Sequence, residues 1–310
     1  MKIGIIGGTG SIAAKAYLPV YAELQDQHEF TIYSRELTKA EATRKKYNFA
    51  GATQILSNLD LSEMVFIHAA TSAHYEIVKH FLKQGVHVVL DKPISENLTE
   101  TKELLDLAAA ENLLFIIALN RRFVPATQQL KAIPEKTFVK ITKNVSPNDK
   151  SLTFNMYDMF IHPLDTLIYL LDDEILDYHT QLAADNDRLL RAVVHLQTPT
   201  SSGVASMNLE SGAFMEEFTV EAKGETCRVS DLAEIVKYEG LKVETGHFHG
   251  WNSTPYERGF DSIVKASIKA VEKFDGTNRQ ELMQQLHQSN VIKSHEIISE
   301  MLENYKHSLI

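Results

Sequence analysis

Unbroken apolar runs dominate the first 120 residues. Residues 2–7, 64–69, 86–90 and 113–119 are short, rich in Ile, Val, Leu and Phe, and show no polar alternation, and residues 30–33 read as a further strand. A strand that is apolar on both faces is buried on both, as in a parallel sheet covered by helices. Helical spacing fills the intervals. Residues 11–24 form one such segment, with Pro19 expected to kink it. Residues 37–47 are basic and amphipathic, residues 71–84 stop at Gly85, a natural left-handed cap, and residues 98–111 complete the set. The βαβαβ-βαβαβ order, with 113–119 as its sixth strand, predicts a doubly wound parallel sheet in an α/β protein.

Beyond residue 138 the pattern changes. Residues 138–144, 191–197, 203–209 and 214–222 alternate, separated by turn signals at Thr198-Pro199, Ser211-Gly212 and Lys223-Gly224. This predicts a mostly antiparallel sheet with one covered face. Residues 256–273 and 280–305 read as closing helices. The expected division is a first domain over 1–120 and a second over 121–310, with the carboxyl-terminal helix able to pack back on the first.

A chain of 310 residues suits two domains, and its 44% hydrophobic and 23% charged content is that of a soluble globular protein. The net charge of −10 leaves no global basic field for nucleic acid or an anionic membrane, so an anionic ligand needs local positive groups. One cysteine, Cys227, excludes an internal disulfide and a thiolate metal cluster. No apolar run approaches a membrane span, and the first residues are too short and glycine-interrupted for a signal peptide. The expected location is cytoplasmic.

Candidate chemistry gathers at the strand ends. Gly7-Gly8-Thr9-Gly10-Ser11-Ile12-Ala13 joins the first strand to the first helix, and Gly8, Gly10 and Ala13 fit G-x-G-x-x-A. Strand, glycine turn and helix together let a dinucleotide pyrophosphate sit on backbone N–H groups, the Rossmann arrangement. After the second strand, where an NAD site carries Asp or Glu for the ribose, this chain has Tyr33-Ser34-Arg35. A hydroxyl and a guanidinium suit a 2′-phosphate, so NADP(H) is expected over NAD(H), although Glu36 stands nearby. Thr71 or Ser72 is expected to cap the helix after the strand 64–69, placing His74 in its first turn beside the ligand. His68, His80 and His87 read as ordinary strand and helix positions. Asp91-Lys92-Pro93 ends the strand 86–90, so Lys92 stands at the ligand-binding edge. Arg121 and Arg122 end the sixth strand and can hold an acidic substrate or pair with carboxylates. Farther on, Asp158, His162 and Asp165 are spaced i, i+4, i+7 in an apolar segment, and Pro163 interrupts it. Charges on a helix with buried flanks belong in a wet cleft. His247-Phe248-His249 alternates like a ligand pair without a third ligand at ligand spacing, so no metal is expected.

GGTGSIA, TSAH, VHVVLDKP and LNRRFVP, in this order and spacing, resemble the glucose-fructose oxidoreductase/inositol dehydrogenase/rhizopine catabolism (Gfo/Idh/MocA) family. Gly250-Trp251-Asn252-Ser253-Thr254 and the stretch 257–260 look most like its MviM branch. The resemblance spans nearly the whole chain. It departs at Asp91, where the family usually has Glu, and in an extra residue in the glycine turn. It implies a Rossmann domain followed by an α/β domain with an open, mostly antiparallel sheet, and NAD(H)- or NADP(H)-dependent chemistry on sugars or polyols. It also implies a cis peptide at Lys92-Pro93, a homodimer or larger homo-oligomer, and a catalytic set of Lys92, Asp158 and His162. The expected cofactor set is Gly7, Gly8, Thr9, Gly10, Ser11, Ile12, Ser34, Arg35, Thr71, His74, Asp91 and Lys92. The expected substrate set is Lys92, Arg122, Asp158, His162 and Asp165, brought together between the domains. The competing expectation is a dinucleotide-binding sensor that has lost turnover; a proton-transfer set has no use in a sensor.

Overall fold

A computed structural model describes residues 1–248 and 252–308. His249, Gly250 and Trp251 of the sequence reading lie outside the described residues. The chain forms two units: Met1–Ala118 with Phe260–Ser289, and Leu119–Gly259 with Asn290–Ile310.

The first unit is built on six parallel strands: β1 (Lys2–Ile6), β2 (Glu29–Tyr33), β3 (Gly51–Thr53), β4 (Met64–Ile67), β5 (His87–Asp91) and β6 (Phe115–Ala118). Their order is β3-β2-β1-β4-β5-β6, all parallel. β4 and β6 are buried at every position, the physical meaning of their unbroken apolar runs. The order reverses between β1 and β4, so the crevice at their carboxyl ends is the expected ligand position in this topology.

Pro19 is accommodated by a change of helix type. Residues Ala13–Tyr17 form a π-helical turn, and an α-helix begins at Leu18 with Pro19 in its first turn. The wider turn removes the clash between the proline ring and the carbonyl one α-turn back, and the lost N–H falls where no α-helical bond is needed. The helix Phe260–Lys273 returns to this unit. Phe260 packs edge-on to Tyr17 with ring centroids 5.0 Å apart. Gln288 then satisfies the edge strand β6: its Oε1 accepts from the Ile117 N–H at 2.8 Å and its Nε2 donates to the Ile117 carbonyl at 3.3 Å.

The second unit has eight strands: β7 (Lys136–Asn144), β8 (Asp177–Asp185), β9 (Arg188–Gln197), β10 (Ser202–Asn208), β11 (Met215–Ala222), β12 (Thr226–Ser230), β13 (Glu234–Glu239) and β14 (Lys242–His247). Their order is β14-β13-β12-β11-β7-β10-β9-β8; every pairing is antiparallel except β7 with β10. The helix Ile161–Leu170 lies against this sheet. A Cβ on Gly203 would sit 2.5 Å from Leu167 Cδ1, so the absence of a side chain there admits the helix. The last helix, Val291–Ser308, buries Ile297, Ile298 and Met301 in this same core. The chain therefore departs from a simple boundary at 120 with the final helix returning to the first domain. Residues 260–289 are what rejoin the first unit, and the final helix stays with the second.

Candidate functional site

The glycine turn sits at the switch point. Gly7 has φ +77°, and a Cβ there would lie 2.5 Å from the backbone of His68 and Ala69, which follow β4. Only glycine fits that conformation and that approach. A Cβ on Gly8 would come within 2.9 Å of the Ile5 and Ile32 side chains. The turn closes with the Gly10 N–H donating to the Gly7 carbonyl at 3.1 Å, leaving Thr9, Gly10, Ser11 and Ile12 exposed at the start of a helical segment. The first N–H groups of a helix lack intrahelical partners and favour an anion. This backbone-lined turn fits a dinucleotide pyrophosphate.

At the end of β2, Ser34 is held in the sheet by its N–H to the Thr53 carbonyl at 3.1 Å, and Arg35 is exposed. The Glu36 carboxylate is drawn to Lys39 Nζ at 2.7 Å, one helical turn on. An exposed pair of this kind is weak, yet it supplies the carboxylate with a partner other than Arg35.

Around Lys92 the structure departs from the expectations at Thr71, Ser72, His74, Asp91 and His68. Neither Thr71 nor Ser72 caps the helix His74–Lys83; residues Thr71–Ala73 form a 3₁₀ turn closed by the Ala73 N–H on the Ala70 carbonyl at 2.8 Å. His74 is 1% exposed, with Nδ1 2.9 Å from the Pro93 carbonyl oxygen and Nε2 3.0 Å from that of Ala69. Burial lowers its pKa below the usual histidine range, against the opposing pull of the two carbonyls. A neutral imidazole has one N–H to donate to one of these two carbonyls, and the buried ring faces backbone on both sides. Asp91 is similarly engaged. One carboxylate oxygen takes the Tyr17 hydroxyl and the other faces His68 Nδ1 at 2.8 Å, while His68 Nε2 meets the Tyr21 hydroxyl at 2.8 Å. Burial pushes the Asp91 carboxyl up, but His68, the Tyr17 hydroxyl and Lys92 together carry it below the ordinary carboxylate value. Asp91 is thus an anion held from behind. His68, read from sequence as an ordinary strand position, is the residue that grips it. The Lys92-Pro93 peptide is cis.

His80 and His87 also have partners: His80 Nε2 lies 2.7 Å from Asp60 Oδ1, and His87 Nδ1 accepts from the Leu114 N–H at 3.0 Å. Burial lowers His87 to about 4.

In the second unit, Asn155–Phe160 is a π-helical turn that runs directly into the helix Ile161–Leu170. Pro163 is reached as Pro19 is, by a wide turn placed just before it. Of the polar side chains in this segment, Asp158 and His162 remain partly exposed, whereas Asn155, Tyr157, Asp165, Thr166 and Tyr169 are buried. The i, i+4, i+7 stripe therefore divides. Asp165 is 1% exposed and Arg122 0% exposed. They form a bidentate pair, Arg122 Nε to Asp165 Oδ2 at 2.9 Å and Nη2 to Oδ1 at 2.6 Å. Arg122 Nη1 donates to Asn290 Oδ1 at 2.8 Å and the guanidinium lies 5.5 Å from the Tyr169 ring centroid. This removes Arg122 and Asp165 from the substrate set: the fork is matched to one carboxylate inside the core.

Arg121 is likewise bidentate, to Glu216 at 3.0 and 2.9 Å, with Lys143 Nζ 3.5 Å from the same carboxylate. Burial raises Glu216, but Arg121, Lys143 and Arg258 outweigh it and bring its pKa to about 2. Neither Glu216 nor Lys143 stood out in the sequence, since each occupies an ordinary strand position. Among the described residues no group of three or more His, Cys, Asp or Glu is arranged to hold a metal ion, and no helix is long and apolar enough to cross a membrane.

Comparison with known proteins adds to this geometry. Residues 1–119 match the Gfo/Idh/MocA model, described as an oxidoreductase family with an NAD-binding Rossmann fold, and residues 125–240 match the YceM-like carboxyl-terminal domain. The YceM protein of Salmonella typhimurium is 28% identical over 278 residues, 88% of this chain and 90% of its own. The crystal structure of a dehydrogenase (MviM) from Clostridium difficile superimposes with a TM-score of 0.85 at 26% identity, covering 98% of this chain and 99% of that one. The scyllo-inositol 2-dehydrogenase (NADP(+)) IolU of Bacillus subtilis is 29% identical over 118 residues, 37% of this chain and 36% of its own.

Proposed function

We propose that this chain, which belongs to the Gfo/Idh/MocA oxidoreductase family, interconverts an alcohol and a carbonyl on a sugar- or polyol-like small molecule with NADP(H) as its preferred cofactor. The turn Gly7–Ile12 would hold the pyrophosphate, and Ser34 with Arg35 the 2′-phosphate of the adenosine ribose. When bound, the nicotinamide supplies the hydride acceptor or donor. The chain's own residues handle the proton and the charge. His162 takes the hydroxyl proton during oxidation and returns it during reduction. Asp158 orients and charge-balances the imidazole. The Lys92 ammonium stabilises negative charge developing on the reacting oxygen.

The observation that carries this reading is the segregation along residues 155–170: Asp158 and His162 stay partly exposed while the other polar side chains of the segment are buried. NADP dependence in IolU supports the cofactor preference, alongside Arg35 and the diversion of Glu36 to Lys39. The proposed setting is cytoplasmic, with homo-oligomers formed through the open face of the eight-stranded sheet. The test is a panel of sugars, polyols and their keto forms, screened for nicotinamide oxidation or reduction with NADP(H) and with NAD(H). Turnover of at least one compound, faster with NADP(H), is expected; no turnover with any member of the panel would refute it.

A further inference from the structure

The residues on either side of Lys92 are each held by a buried histidine, and both histidines come from one short loop. β4 and β5 pair with Ile67 opposite Leu90, so the next residues, His68 and Asp91, fall beside each other at the carboxyl edge of the sheet. The His68 side chain is 2% exposed and packs against Tyr17 at a tilt, with ring centroids 4.1 Å apart. Both ring nitrogens have partners: Nε2 lies 2.8 Å from the Tyr21 hydroxyl, and Nδ1–H donates to Asp91 Oδ2 at 2.8 Å. With the Tyr17 hydroxyl on the other oxygen, the Asp91 carboxylate cannot rotate without breaking a bond at each end. Six residues after His68, His74 reaches the opposite side of the lysine through the Pro93 carbonyl. The same loop supplies the His68–Ala69 backbone against which Gly7 is packed. The glycine turn and the Lys92 turn are therefore registered to one frame.

We propose that His68 and His74 are positioning residues for Lys92, His68 acting through the Asp91 carboxylate and His74 through the Pro93 carbonyl. This rests on the reading of Lys92 as the group that stabilises charge on the reacting oxygen. Neither histidine touches substrate in this proposal. Each fixes a neighbour of the residue that does, and a displacement of about 1 Å at such a group costs about a hundredfold in rate.

The experiment has two arms, both on the full chain. Amide hydrogen exchange reads the clamp itself. His68→Leu and His74→Leu are expected to raise exchange over residues 90–96 by about tenfold or more, with no change over residues 37–47 or in the second unit. Steady-state kinetics on a substrate from the panel reads its purpose. His68→Leu is expected to lower kcat about a hundredfold with the NADPH Kd within about threefold of the wild type. His68→Asn, which keeps an N–H donor where Nδ1 stands, recovers most of that loss. In a Lys92→Met background, adding His68→Leu changes turnover by less than about threefold, because the group being positioned is gone. Unchanged exchange over 90–96 overturns the proposal. So does a loss on adding His68→Leu that is as large in the Lys92→Met background as in the wild type. Wild-type turnover in Lys92→Met alone refutes the role of Lys92 instead, and the exchange arm still decides whether the histidines hold the turn. If His68→Leu does not fold, Tyr21→Phe removes only the hydroxyl that meets His68 Nε2 and carries the same expectations at smaller size.

Discussion

Asp165→Ala separates a structural carboxylate from a substrate-binding one. In the native chain Asp165 accepts two hydrogen bonds from Arg122, and the two side chains are 2% and 0% exposed. Truncation leaves a guanidinium in the core with Asn290 and the Tyr169 ring as neighbours but without its counter-charge. Removing one partner of a buried pair costs about 3–5 kcal/mol, because the remaining charge stays desolvated. Set against a typical domain stability of about 5–15 kcal/mol, that is a large fraction. Denaturant unfolding followed by circular dichroism is expected to show the second unit melting early, with the first unit's transition and the NADPH Kd unchanged. The double variant Arg122→Met with Asp165→Leu, which removes both charges, is expected to recover most of the loss. At a temperature where each variant is folded, KM for the substrate should stay within about threefold of the wild type, since neither residue reaches a ligand. A raised KM in Asp165→Ala with unchanged stability would refute this reasoning and return Arg122 and Asp165 to the substrate set.

Two further outcomes follow. Arg35→Ala should weaken NADPH by about 1.5–3 kcal/mol, the worth of a hydrogen bond to a charged group, and barely change NADH; equal losses for both, measured by fluorescence titration, would remove Arg35 from the 2′-phosphate. His87 and His295 are both lowered to about 4 by burial, so the folded state keeps them neutral while the unfolded chain takes up a proton near 6.5. Their contribution is intact above about pH 6.5 and is lost as pH falls toward 4, by up to about 3 kcal/mol each. Unfolding free energies measured at stepped pH check this. His295→Gln should flatten the fall across that window, and an unaltered slope would show that His295 does not drive it.

Much of the first unit was legible because β1, β4, β5 and β6 are buried along most of their length and write themselves as apolar runs. β3 was not located: it has three residues, Gly51–Thr53, at the edge of the sheet. β8 reads Asp-Tyr-His-Thr-Gln-Leu-Ala-Ala-Asp and is mostly polar, since its open face asks for little burial. The π turns before Pro19 and Pro163 leave no periodic trace, yet a proline inside a helical pattern is the place to look for one. Of the proposed site, the glycine spacing, Lys92, Asp158 and His162 were visible as local motifs. The His68–Asp91 contact was hidden by a gap of 23 residues, although both stand one step past buried parallel strands, where side chains of neighbouring strands meet. Arg122 and Asp165 misled because a charge in an apolar segment signals either a ligand or a buried partner, and sequence spacing does not say which.

The central claim is that Lys92 stabilises charge in a hydride-transfer reaction, and Lys92→Met tests it most directly. The substitution keeps most of the side-chain bulk and removes the ammonium. With NADPH and a substrate found in the panel, single-turnover absorbance should show hydride transfer slowed by about two to four orders of magnitude. The NADPH Kd should stay within about threefold of the wild type, because the glycine turn and Arg35 are untouched. Hydride transfer at the wild-type rate in Lys92→Met would contradict the account.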